Sequence, residues 1–215
     1  MEWIAALVDF IFHIDVHLDE IIRAYGLWTY AILFAIVFVE TGLVIMPFLP
    51  GDSLLFAAGT FAARGSLNPG TLTGLLILAA VLGDTANYWI GHFLAPRIST
   101  GRVHFVNQQH LARTHAFFDK HGGKTIVLAR FIPIVRTFAP FVAGVGAMDY
   151  ARFLAYNVGG AIAWVCLFVW AGYFFGNIPT VEENFTLVIM AIILLSVLPG
   201  VVEWLRSRRQ RPSPR

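Results

Sequence analysis

Long apolar stretches joined by short polar segments make up most of the 215-residue chain. A helix needs about 20 apolar residues to cross a hydrocarbon core about 30 Å thick. Residues 70–94, 150–176 and 184–205 meet that length, and Asp84 is the only charged residue in the first of them. The pattern therefore predicts an all-α polytopic membrane protein with three transmembrane helices.

Two further apolar stretches, residues 28–64 and 125–147, contain residues that interrupt a helix. Proline removes a backbone donor and clashes with the preceding turn. Irregular backbone at membrane depth persists only where it is buried in protein or lines a wet cavity. We therefore predict two re-entrant helical hairpins, each entering and leaving the membrane by one face. The predicted breaks are Pro47, Pro50 and Gly51 in the first hairpin and Pro133, Pro140 and Gly144 in the second.

Identical residues recur at an offset of 85 positions, which indicates an internal duplication. Repeat 1 would cover residues 27–95 and repeat 2 residues 124–178, each with one hairpin followed by one transmembrane helix. Because one copy crosses the membrane an odd number of times, the second copy is inverted, as in many transporters. The matching pairs are Phe56 and Phe141, Ala58 and Ala143, Gly59 and Gly144, Gly74 and Gly159, Ala86 and Ala171, Tyr88 and Tyr173, and Gly91 and Gly176.

The remaining segments are predicted to lie at or outside the membrane surface. Residues 1–26 mix apolar and acidic positions, which favours an amphipathic helix lying at the interface. Basic residues concentrate in the connector, residues 96–123, and in the tail, residues 206–215. Lysine and arginine mark the cytoplasmic side of a membrane protein. We expect the connector, with an amphipathic helix of its own, and the C-terminus to be cytoplasmic.

Composition supports the membrane class and excludes several others. The chain is 58% hydrophobic with 28 charged residues, and its mean hydropathy is +0.71. A net charge of +2 is too small for a nucleic-acid partner, and the single cysteine, Cys166, rules out an intrachain disulfide framework. Histidines in the connector match no metal-binding spacing. We therefore expect no metal and no cofactor.

Four charged residues, Glu40, Asp52, Arg130 and Arg136, flank the predicted hairpin breaks. A charge at bilayer depth costs at least about 2.5–3.5 kcal/mol, so we expect the acids of the first hairpin to pair with the arginines of the second. The guanidinium forks suit a phosphate, which makes Arg130 and Arg136 candidate headgroup-binding residues. Glu40, Asp52 and Asp84 are candidate proton carriers. Two alternatives stay open: a purely structural ion-pair latch, and a helix-packing hydrogen bond at Asp84.

These residues resemble the signature of the DedA family, also called the VTT-domain or SNARE-associated Golgi protein family. The likeness covers most of the chain, with one departure at His92, where relatives often have arginine. The matching motifs are Glu40-Thr-Gly42, Pro47-Phe-Leu-Pro50-Gly51-Asp52, His121-Gly122-Gly123-Lys124, Arg130 and Phe131 with Pro133 and Arg136, Ala143-Gly144, Gly83-Asp84 with Tyr88, Gly159-Gly160, Trp164 and Gly172-Tyr173.

The resemblance implies a multi-pass bacterial inner-membrane protein with two facing re-entrant hairpins. It also implies that Glu40 and Asp52 correspond to essential acids, and Arg130 and Arg136 to essential arginines. Bacterial members are implicated in returning undecaprenyl phosphate across the membrane, and eukaryotic relatives scramble phospholipids.

The functional hypothesis is proton-coupled translocation of a lipid with an anionic phosphate headgroup, such as undecaprenyl phosphate, by a protein that is not an enzyme. Its partners would be that lipid and protons. Three rivals stay open: an integral-membrane lipid phosphatase, a lipid scramblase, and a structural protein without transport activity, oligomeric through its glycine faces. The phosphatase lacks support because the chain has no Gly-x-Ser-x-Gly elbow and no adjacent nucleophile and base.

Overall fold

The computed structural model describes residues 14–43, 51–99, 123–146, 148–195 and 198. The predictions made for residues 1–13, Pro47, Pro50, most of the connector, the end of the C-terminal transmembrane segment and the basic tail lie outside these residues. The described residues form helices and no strand. In chain order they are α1 (Ile14–Tyr25), α2 (Trp28–Gly42), α3 (Gly51–Ala63), α4 (Pro69–Ser99), α5 (Lys124–Ala129), α6 (Pro133–Val145), α7 (Tyr150–Phe175), α8 (Pro179–Glu183) and α9 (Phe185–Leu195).

Two of these helices are long and apolar enough to cross a membrane. They are the segment Pro69–Ala95 of α4 and the whole of α7. At 1.5 Å per residue, the 26 residues of α7 extend about 39 Å, which exceeds the hydrocarbon thickness. The Asp149 carboxylate accepts a hydrogen bond from the Arg152 backbone N–H at 2.9 Å and so caps the first turn of α7.

The helices of the two predicted hairpins are much shorter. With 15 residues in α2 and 13 in each of α3 and α6, each spans about 20 Å and is too short to cross alone. In the second hairpin, α5 ends at Ala129 and α6 begins at Pro133. A proline suits this first helical position, where its missing N–H would have had no partner.

The structure corrects two of the predicted breaks. Pro140 lies inside α6 and is buried, and Gly144 lies in the last turn of the same helix. A proline in this position removes one intrahelical hydrogen bond, but α6 continues to Val145 beyond it. The interruption of the second hairpin is therefore confined to residues 130–132.

The helices pack in a crossed arrangement. Each helix that follows a break lies against the long helix of the other half of the chain, so that α3 packs on α7 and α6 packs on α4. A Cβ atom at Gly59 would overlap the Val169 carbonyl, and one at Gly144 would overlap the Tyr88 carbonyl. These two glycines are 85 positions apart and have the same packing role. The inverted duplication itself stays a prediction.

Buried side chains form a large core around α3, α4 and α7 and a smaller one around Tyr88 and Phe153. Leu18 joins α1 to the large core. Leucines such as Leu78 on α4 and Leu167 on α7 are exposed, as expected for helices whose outer surface faces lipid. The polar cluster described next lies where α2, α3, α4, α6 and α7 meet.

Candidate functional site

Arg136, in the first turn of α6, is the centre of a buried ion cluster. Its Nη1 donates to Asp52 Oδ1 at 3.1 Å, and its Nη2 donates to Glu40 Oε1. All three side chains are at least nine-tenths buried. The sequence predicts that Glu40 and Asp52 lie opposite arginines of the second apolar stretch. The structure shows this contact for Arg136, which binds both acids.

Glu40 links the two helices of its own hairpin at the same point. It lies in the last turn of α2, and its Oε1 also accepts a hydrogen bond from the Gly51 N–H at 3.1 Å. Gly51 begins α3, and a Cβ at this position would overlap the Glu40 carboxylate. A carboxylate is favoured here because the N–H groups at a helix N-terminus carry partial positive charge.

Asp52 has a second partner from the long helix α7. The Trp164 Nε1–H donates to Asp52 Oδ1 at 2.7 Å, the same oxygen that accepts from Arg136. Asp52 therefore lies between an arginine of α6 and a tryptophan of α7. Three separate helices meet at one carboxylate.

Arg130 belongs to a second ion pair. Its Nη2 donates to Asp84 Oδ2 of α4 and to Asn157 Oδ1 of α7, and the Asn157 amide donates to the Val81 carbonyl at 3.1 Å. The expectation that the two acids of the first hairpin would balance both arginines is corrected here, because Arg136 takes both acids and Arg130 pairs with Asp84 instead. Asp84 is therefore part of the cluster, and its described hydrogen-bond donor is the Arg130 guanidinium and not a neighbouring hydroxyl.

Asn87 joins the end of α2 to the start of α6 beside the Arg136 cluster. Its Nδ2 donates to the Thr41 carbonyl at 3.2 Å and to the Thr137 carbonyl at 2.7 Å. These threonines directly follow Glu40 and Arg136 in the chain. One amide of α4 thus fixes the backbone next to both members of the ion pair.

Asn87 and Asn157 were not among the predicted site residues, because the prediction rested on the cost of burying charged side chains alone. The penalty for burying a polar group in hydrocarbon applies to amides as well, so the same search extended to asparagines in α4 and α7 would have found both. Trp164 was noted for its family likeness, but no sequence pattern indicates that its N–H reaches Asp52.

Several buried polar atoms of the cluster have no hydrogen-bond partner within the described part of the protein. Three are arginine donors and two are acid acceptors, so the cluster keeps the capacity to bind a further polar group. These atoms are Nε and Nη1 of Arg130, Nε of Arg136, Oε2 of Glu40 and Oδ1 of Asp84.

The described residues contain no group of His, Cys, Asp or Glu side chains arranged to hold a metal ion. The connector histidines His104, His110, His115 and His121 lie outside them. The arrangement that is described offers paired carboxylates, two guanidiniums and an indole N–H. The carboxylates can exchange protons, and the guanidiniums can bind an oxyanion.

Comparison with known proteins gives a consistent family match. The VTT domain model matches residues 49–174, more than half of the chain, including every cluster residue except Glu40. Protein DedA of Escherichia coli (strain K12) is 55% identical over 212 residues, which cover 97% of both chains. The chain belongs to the DedA family. No solved structure matches it at a significant level.

Two relatives of lower sequence identity also match most of the chain, and both are named as membrane proteins. Inner membrane protein YqjA of Escherichia coli (strain K12) is 34% identical over 170 residues, which are 79% of this chain and 77% of that protein. A membrane protein of Mycobacterium tuberculosis (strain ATCC 25618 / H37Rv), Rv0364, is 44% identical over 179 residues, with coverages of 82% and 78%. The chain is therefore a membrane protein, and its buried charges must function within that setting.

Proposed function

We propose that this protein translocates a lipid with a phosphate headgroup, such as undecaprenyl phosphate, across the bacterial inner membrane and couples that movement to protons. The hairpins would be re-entrant and the two halves inverted repeats, with the connector and C-terminus in the cytoplasm. The observation that carries the proposal is the buried guanidinium of Arg136, shared by Glu40 and Asp52 where the two hairpins meet.

The charge of the cluster supports proton coupling. Two arginines face three acids, so the fully ionised cluster carries one net negative charge. A net charge at membrane depth is expensive, and one proton shared among Glu40, Asp52 and Asp84 makes the cluster neutral. Binding a headgroup anion adds negative charge, which favours the uptake of further protons by these acids.

The geometry also supports phosphate as the bound group. Guanidiniums bind carboxylates and phosphates with the same fork of donors, so a headgroup can replace Glu40 or Asp52 on Arg136. Protonation of either acid weakens its hold on the arginine and opens that position. Re-ionisation of the acids then returns the carboxylates to Arg136 and releases the headgroup.

The apolar tail of the lipid needs no polar path. Exposed apolar side chains on α4 and α7 give a surface along which a prenyl or acyl chain can stay in lipid while the headgroup passes the cluster. The protein then needs to lower the barrier for the headgroup alone. Because only the headgroup needs charged partners, the buried charges can be concentrated in one cluster.

The experiment that tests the proposal measures leaflet-to-leaflet movement of labelled polyprenyl phosphate and of labelled phospholipid in proteoliposomes, with and without a pH gradient. We expect protein-dependent movement of the polyprenyl phosphate that the gradient accelerates. Movement of both lipids without any effect of the gradient indicates a scramblase. Release of inorganic phosphate indicates a phosphatase, and no movement above empty liposomes contradicts transport.

A further inference from the structure

Trp164 contacts both halves of the charge cluster. It is fully buried in α7, and its Nε1–H donates to Asp52 at 2.7 Å. The Cζ atom of Arg136 lies 4.9 Å from the centre of the indole ring, and that of Arg130 lies 5.9 Å from it. One side chain thus touches an acid of the first hairpin and both arginines.

The two parts of the indole have different chemical effects. The N–H can only donate, and here its acceptor is an acid that also binds Arg136. The ring face is negative and attracts cations, most strongly where water is excluded. Two guanidiniums that repel each other are therefore both attracted to one ring, although their acids come from different helices.

We propose that Trp164 is a positioning residue for the headgroup site. Its N–H holds Asp52 beside Arg136, and its ring keeps both guanidiniums in place when a headgroup displaces the carboxylates. The proposal rests on the proposed function and extends it, because Trp164 acts through Asp52 and the arginines and need not touch the lipid.

Isosteric replacements separate this role from simple core packing. Replacing Trp164 by 3-benzothienylalanine substitutes sulfur for the N–H and nearly preserves the shape. We expect transport of labelled polyprenyl phosphate to fall about 10-fold to 100-fold, the effect of losing one hydrogen bond to a charged group. An unchanged rate overturns the role of the N–H.

The ring face is tested by progressive fluorination of Trp164, which weakens the negative face with little change in size. We expect the transport rate to fall stepwise from one to three fluorines, and a constant rate overturns the role of the ring. The matched control is Trp170 on the same helix, whose ring packs against Tyr173 and Phe174. The same replacements at Trp170 should leave the rate unchanged.

A double-mutant cycle tests the contact between Trp164 and Asp52 without a transport assay. The melting temperatures of Trp164→Phe, Asp52→Ala and the double variant are compared in detergent. If Trp164 acts on Asp52, the double variant loses less than the sum of the two single losses, whereas additive losses overturn the proposal. If Trp164→Phe does not fold, the benzothienylalanine variant takes its place in the cycle. The cycle also remains informative if the wild-type protein moves no lipid.

Discussion

Glu40 and Arg136 form a buried ion pair although 96 positions separate them in the chain. Glu40 lies in the last turn of α2, and Arg136 lies in the first turn of α6. Because Glu40 also accepts from the Gly51 N–H, the pair connects α2 and α3 to α6. A ligand that binds Nη2 of Arg136 must compete with this carboxylate.

The first prediction concerns the shape of the cation at position 136. Arg136→Lys keeps the charge but loses the fork that reaches two carboxylates or two phosphate oxygens at once. We expect lipid transport in proteoliposomes to fall at least about tenfold, as for the loss of one charge-assisted hydrogen bond. The control is Arg152→Lys, at an exposed arginine of α7, which should transport normally. A rate like that of the wild type in Arg136→Lys would contradict the role of the fork.

The second prediction concerns coupling to protons. Glu40→Gln keeps an oxygen that can accept from Gly51 and Arg136 but can no longer bind or release a proton. We expect the variant to stay folded in the membrane and to move lipid at the same rate with and without a pH gradient. Glu183→Gln, at an exposed acid of α8, is the control and should keep its response to the gradient. A normal response in Glu40→Gln would remove Glu40 from the coupling mechanism.

The third prediction separates function from a structural latch at Asp84 and Arg130. Asp84→Leu leaves the Arg130 charge buried without its acid, which should lower the free energy of unfolding by about 3–5 kcal/mol. The double variant Asp84→Leu/Arg130→Met removes both charges and should regain most of that stability. We expect the double variant to be stable and inactive. Transport at the wild-type rate by this variant would show that the pair is only a latch.

The fourth prediction concerns the close helix crossings. In a helix, Gly→Ala is usually favourable by about 1 kcal/mol, and Gly159→Ala should follow that rule because no atom lies within 4 Å of the new Cβ. At Gly59 the Cβ would overlap the Val169 carbonyl, so Gly59→Ala should destabilise the protein by about 1–3 kcal/mol. Thermal unfolding in detergent measures both changes.

The same substitution at Gly144 tests the duplication. Gly144 meets the Tyr88 carbonyl of α4 as Gly59 meets α7, so Gly144→Ala should lose as much stability as Gly59→Ala. A neutral effect at Gly144 would contradict the equivalence of the two crossings.

The sequence by itself determined the features that depend on local composition. The two long apolar helices, the break before Pro133 and the presence of charges beside the hairpins all follow from residues close together in the chain, because membrane thickness and backbone hydrogen bonding act locally. The continuation of α6 past Pro140 was harder to predict, because a helix can tolerate one lost hydrogen bond when neighbouring helices support it.

Only the tertiary structure decided which charges meet. The partners of Arg136 lie 84 and 96 positions away, and Trp164 lies 112 positions from Asp52. Such contacts depend on how closely α3 approaches α7 and α6 approaches α4, which the glycines allow but do not specify. Charge complementarity predicts that acids pair with arginines. The packing of the long helices determines that Asp84 pairs with Arg130 and that Glu40 and Asp52 both pair with Arg136.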